Sequence, residues 1–186
     1  VAGLDLEREL KHLYAPKPGV CTIVDVPPQQ FLMIDGQGDP NESERFQDVC
    51  DALYGMSYTI KFAMKAARRD HTVMPLEGLW WADDMSTFTP DRKDLWQWTL
   101  MILQPDFVTA EHVAAARAQV ESKRNPPLLV ELRFERLEEG LAAQTLHVGP
   151  YADEGPTIAT LHQFIADEGR QRRAKHPEIY LGDPRR

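Results

Sequence analysis

The sequence predicts an α+β protein in which helices pack on an antiparallel sheet, and three observations carry that expectation. Short apolar runs with period-two alternation recur along the chain, amphipathic stretches with helical spacing interrupt them, and Gly, Pro and Asp mark the joints.

In order, VAGLDLERELKHLYAP reads as a short helix or arm that stops before Pro16 and Pro18. CTIVDV and FLMIDGQG read as two strands interrupted by PPQQ, a two-strand entry to the sheet. DPNESERFQDVCDALYGMSYTIKFAMKAARR is a long amphipathic helix, with Asn41 or Ser43 as cap, acids in its first turn and Lys65, Arg68 and Arg69 at its carbonyl end. Phe46, Val49, Cys50, Leu53, Ser57, Ile60 and Met64 follow its sheet-facing spacing, and Tyr54, Tyr58 and Lys61 form a stripe along the border. HTVMPLEGLWW and LWQWTLMILQPDF read as strands joined by the polar connection DDMSTFTPDRKD. Alternation puts Glu77, Leu79 and Trp81 on one face of the first and Gly78 and Trp80 on the other, and groups Trp96, Trp98, Leu100 and Ile102 in the second. TAEHVAAARAQVESKR is a helix opened by Thr109 and Glu111. NPPLLVELRFERLEEGLAAQTLHVGPY returns to strands, EGPTIATLHQFIADEGR is a helix with Pro156 in its first turn, and EIYLGDPRR is a final strand. An offset of 111 aligns Gly38 with Gly149 and Cys50 with Leu161, a hint of internal duplication.

Composition narrows the function. Of 186 residues, 42% are hydrophobic, enough for a substantial core, yet no apolar run approaches the roughly 20 residues of a spanning helix and the first residues lack a signal-peptide build. A cytoplasmic protein with no membrane partner is expected. A net charge of −8 opposes direct binding to nucleic acid. Cys21 and Cys50 lie far apart without metal-ligand spacing and read as buried thiols. The chain carries no H-E-x-x-H, GxSxG, P-loop or dinucleotide fingerprint, and GQGDP lacks the GxGxxG pattern, so neither a metal nor a cofactor is expected.

Two features point to a ligand. Trp80, Trp81, Trp96 and Trp98 crowd one stretch beside Glu77, and rings of this size flanking a carboxylate suit a planar aromatic small molecule as well as a core. Glu178 poses the same question near the other end, with Tyr180 on its face by alternation. His147 alternates with Thr145 and Gly149 and reads as structural, and Tyr151 sits in a bend where its hydroxyl can face either ligand or solvent.

Together KHLYAPKPG, FLMIDGQGDPNES, ALYGMSYTIKF, VMPLEGLWW, WQWTLMILQPDFVT, LHVGPYADEGPTIATLHQFI and HPEIYLGDPRR resemble the stand-alone GyrI-like small-molecule-binding proteins, over almost the whole chain. PLEGLWW, HxGPYxxEGPT and EIYLxDPRR are the specific parts. The resemblance implies a single domain over 1–186 built from tandem duplicated β-α-β-β (SHS2-type) modules. Repeat one would span about 19–104, a linking helix about 109–124 and repeat two about 127–186, with a ligand groove between the repeats.

It further implies two kinds of activity. Some relatives resemble hydrolases that open the cyclopropane of DNA-alkylating natural products of the duocarmycin and yatakemycin type, and others are drug-sensing modules for organic cations. This chain has no helix-turn-helix segment of the kind the regulators carry. For the hydrolase, Glu178 is the expected general base on water and Tyr58 or Tyr54 the donor to the developing phenolate. Glu77, Trp80, Trp81, Trp98, Tyr151 and Tyr180 would line the substrate site. The alternative is a non-catalytic binding or sensing protein using the same residues, with cation–π contacts for a charged drug.

Overall fold

A computed structural model describes residues 3–182. In chain order the elements are α1 (Leu6–Glu9), α2 (Lys11–Tyr14), β1 (Thr22–Val26), β2 (Gln29–Gln37), α3 (Glu44–Ala66), β3 (Leu76–Trp81), β4 (Gln97–Gln104), α4 (Ala110–Lys123), β5 (Arg133–Leu137), β6 (Gly140–Gln144), α5 (Gly155–Asp167) and β7 (His176–Ile179), with short 3-10 turns between. The α+β class is as the periodicity predicts. The final strand starts at His176 and ends at Ile179, and the DPRR of the sequence motif lies outside the described residues.

The chain divides into two compact units. The first holds Gln29–Leu137 together with the segments up to Leu6 and from Lys175. Its five-stranded sheet runs β5-β2-β4-β3-β7 with every pairing antiparallel. The second holds Glu7–Pro28 and Glu138–Ala174, with β1 antiparallel to β6 and α5 as its longest helix.

The expected two-strand entry divides at Pro27 and Pro28. Proline has no N–H to give a ladder, so β1 pairs with β6 while β2 takes β4 and β5 as neighbours. The same division falls between β5 and β6, at Glu138 and Glu139, where Gly140 adopts φ +69°.

In the first unit α3 covers one sheet face with the residues its spacing assigns. Val49, Cys50, Leu53, Ser57, Ile60 and Met64 are buried, and Ser57 Oγ accepts a hydrogen bond from Gln104 Nε2 of β4. Phe46 sets its ring edge-on to Trp98 at 5.5 Å. Ala52 and Met56, also buried, lie on one flank of that helix, and α4 packs beside α3. Thr109 caps α4 in a box closed by His112, whose ring accepts from the Thr109 N–H. Cys50 is fully buried and Cys21 only partly so, and neither is in a disulfide.

Trp98, wholly buried, depends on two glycines of β2 and the bend after it. Gly36 is its cross-strand partner, and a Cβ there would stand 2.1 Å from the indole, so the ring lies flat only over a residue without a side chain. Gly38, at φ +89°, turns the chain so that its carbonyl accepts the Trp98 N–H at 3.3 Å.

At the far side of the unit, Leu4 forms a parallel bridge to His71, whose ring meets Phe107 edge-on at 5.6 Å. His71 is 3% exposed, and this burial, reinforced by the Lys61 charge, holds its imidazole below the ordinary 6.5.

Two outcomes follow from this packing. Gly36→Ala lowers the unfolding free energy by about 1–3 kcal/mol or more through overpacking. Gly55→Ala, mid-helix in α3 with nothing within 4 Å of the added methyl, raises it by up to about 1 kcal/mol. Urea unfolding of the two variants against wild type checks both signs. For His71, the unfolded chain takes up a proton first as pH falls through about 6.5, so stability is complete above that value and declines below it until the native imidazole also titrates. Comparing urea midpoints of wild type and His71→Phe from about pH 7.5 to about pH 5 isolates this slope, which the variant lacks.

Candidate functional site

Register decides which predicted residues meet. Trp80 of β3 pairs with Trp98 of β4 on one side and His176 of β7 on the other, and Gly78 pairs with Leu100 and Glu178. Gly78, Trp80, Trp98, Leu100, His176 and Glu178 therefore share a face, the one α3 covers over β2 and β4.

A chain of hydrogen bonds runs across this face at the β3–β7 edge. Trp80 Nε1–H donates to Tyr180 Oη at 2.8 Å, the Tyr180 hydroxyl donates to Glu178 Oε2 at 2.7 Å, and His176 Nε2 lies 3.1 Å from Glu178 Oε1. Trp80 and Tyr180 are buried, while the side chains of His176 and Glu178 keep 19% and 21% of their surface open. The carboxylate is thus held at both oxygens yet reachable. Gly78 makes the room: a Cβ there would stand 2.6 Å from Trp80 Nε1 and 3.1 Å from the Tyr180 hydroxyl.

Aromatic rings form an unbroken series that ends at His176, beside the carboxylate. Trp98 tilts against Trp80 at 6.2 Å, Trp80 meets Trp96 edge-on at 5.9 Å, Trp96 lies 4.6 Å from Phe88, and Phe88 lies 6.4 Å from His176. Trp96 gives its N–H to the Thr89 carbonyl at 3.2 Å. Three of the four tryptophans thus satisfy their indole donors inside the protein, which burial of this ring demands.

Tyr54 and Tyr58 stand on α3, with Phe62 continuing the row at centroid spacings of 6.5 and 6.3 Å. Arg117 of α4 donates to the carbonyls of Leu129 and Leu132 just before β5, which puts α4 on the β5 side of α3. Ala52 and Met56 are buried on one flank of α3, and helical spacing puts the tyrosine row on the other. Tyr58 is 47% exposed.

The remaining predicted residues lie elsewhere. Glu77 and Trp81 occupy the opposite face of β3, as their alternation requires, with Glu77 buried beside Met101 in register and Lys175 Nζ 3.5 Å from the centroid of the Trp81 ring. Asp35 shares this second face with Thr99. Burial pushes its carboxyl up, but hydrogen bonds from Arg133 and Thr99 and the charges of Arg133 and Lys175 outweigh that and hold it below the usual range. Tyr151 belongs to the second unit, half exposed in the turn before α5. His147 there is structural: its ring bonds Thr157 Oγ1 at 2.9 Å and the Pro150 carbonyl at 3.0 Å, tying the HVGPY bend to the first turn of α5.

His176 is the member of the site that motif reading missed. Its signal is present in the sequence, since His176, Glu178 and Tyr180 alternate in HPEIY, but the expected strand EIYLGDPRR starts only at Glu178. Among the described residues no cluster of three His, Cys, Asp or Glu side chains is placed to hold a metal ion, and no helix is long and apolar enough to cross a membrane. An open depression of about 500 Å³, lined by loop residues that include Asp39, Glu42, Lys93 and Asp94, contains none of the predicted site residues.

Comparison with known proteins places this architecture. A conserved protein from Listeria innocua superposes with a TM-score of 0.90 at 39% identity, covering 98% of this chain and 92% of its own. A hydrolase encoded by lin2189 of the same organism superposes at 0.88 with 37% identity, over 99% of this chain and 92% of that one. A further Listeria innocua protein described as a hydrolase gives 0.85 and 36%, over 97% and 95%. No curated protein matches the chain. The model of the GyrI-like small molecule binding domain matches residues 20–186, and with that coverage, and relatives of this identity along nearly the whole length, the chain belongs to the GyrI-like family.

Proposed function

We propose that the protein is a cofactor-independent hydrolase that adds water across the strained cyclopropane of planar DNA-alkylating compounds, with detoxification or self-protection as the result. The observation that carries this reading is the Glu178 carboxylate, fixed at both oxygens and open to solvent at the end of an aromatic series. Hydrolase relatives at 36–37% identity support it.

The chemistry asks for little else. In a cyclopropane fused to a cross-conjugated dienone, the ring carbon–carbon bond breaks as its electron pair enters the six-membered ring, which becomes a phenol. Water bonds to the released methylene carbon, Glu178 takes the proton that this water sheds, and a proton reaches the former carbonyl oxygen, so the sum is the addition of one water. Tyr54 or Tyr58 supplies the hydrogen bond to the developing phenolate from the flank of α3. Trp80, Trp96 and Phe88 hold a flat substrate and exclude bulk solvent, which strengthens both hydrogen bonds at the reacting centre.

Mass spectrometry of a duocarmycin-type cyclopropane incubated with catalytic amounts of protein is the direct test. Wild type yields the water adduct over many turnovers, and Glu178→Gln loses at least on the order of 10²-fold in rate. Compound that is bound but returned unchanged, with organic cations bound more tightly still, would replace this reading with a drug-binding or sensing protein that uses the same carboxylate and rings. Tyr180→Phe leaves the Trp80 N–H and one Glu178 oxygen without their bonds. It costs about 1–3 kcal/mol in urea unfolding, and a cycle with Trp80→Phe shows non-additive losses.

A further inference from the structure

The geometry points to His176 as a positioning residue for Glu178, a role that rests on the hydrolase reading above and extends it to a residue outside the aromatic and carboxylate set. The Trp80 indole can only donate, so the Tyr180 oxygen accepts there and its own proton is committed to Glu178 Oε2. Glu178 is thereby an acceptor on this side, and its second oxygen, Oε1, faces His176 Nε2 at 3.1 Å, which completes the clamp by donating.

Tyr180 alone leaves the carboxylate free to turn about its single anchored oxygen. A glutamate side chain has three rotatable bonds, and one hydrogen bond does not select a unique plane for its oxygens. The second bond does. His176 is itself immobilised: it pairs across the strand with Trp80, its ring stands 6.4 Å from that of Phe88, and its side chain is four-fifths covered. With one lone pair of each oxygen engaged, the others keep a fixed direction toward solvent, where the attacking water is bound. In this arrangement His176 acts through Glu178 and not on the substrate.

The test compares His176→Phe, which keeps the ring and removes the donor, with His176→Gln, whose amide Nε2 restores a donor. On the cyclopropane probe, His176→Phe is expected to lower kcat on the order of 10²-fold with KM changed less than about threefold, and His176→Gln to recover at least about tenfold of that loss. An unchanged kcat in His176→Phe, or His176→Gln as slow as His176→Phe, overturns the role. If wild type itself does not turn the probe over, the hydrolase reading has failed on its own account. The clamp is then read from the proton–nitrogen spectrum of histidine-labelled protein. A His176 Nε2–H signal displaced in Glu178→Gln upholds it, and one that does not move refutes it.

Discussion

The organisation of the first unit depends on tryptophan rings lying flat where the sheet has no side chain. Trp98 rests on Gly36 and Trp80 passes over Gly78, and in each case a single added carbon would occupy space the indole already fills. Glycine in a strand is costly in chain entropy and offers nothing to pack, so its use here is intelligible only through the large ring that covers it. From these two contacts the rest descends. The ring of Trp98 fixes the tilt of Trp80, the tilt of Trp80 aims its N–H, and that N–H orients the tyrosine hydroxyl that holds Glu178. Backbone composition as far as three strands away thus sets the direction of a carboxylate.

Much of this fold was legible in the chain because its long periodic segments agree with their neighbours. The burial of Val49, Cys50, Leu53, Ser57, Ile60 and Met64 follows from spacing, and the pairing of β3 with β4 follows from two apolar runs around a polar connection. What spacing could not convey was which strands adjacent in sequence would part company. Pro27–Pro28 reads as an interruption within one ribbon, yet the missing donors end one ladder and the chain begins another elsewhere. Pairing partners are long-range facts, and local periodicity carries no information about them.

The candidate site was legible in kind and only partly in arrangement. Alternation puts Trp80 with Gly78 and Tyr180 with Glu178, both as observed, and the same alternation separates Glu77 and Trp81 from Gly78 and Trp80, though proximity in PLEGLWW invites grouping all four. His176 escaped because a histidine before proline looks like the end of a loop, whereas here it opens the strand. Tyr151 lies in the other unit, on a bend that His147 ties to α5.

The bond between Trp80 and Tyr180 joins residues 100 positions apart. Four of the five strands in its sheet, β5, β2, β4 and β3, come from residues 29–137, and the fifth arrives only after the excursion that ends at Ala174. A chain emerging from the ribosome therefore exposes β3 as a bare edge, with the Trp80 indole uncovered, until the segment from Lys175 is released. His176, Glu178 and Tyr180 are delivered together by that last strand, so closing the edge and assembling the carboxylate clamp are one event in the life of the nascent chain.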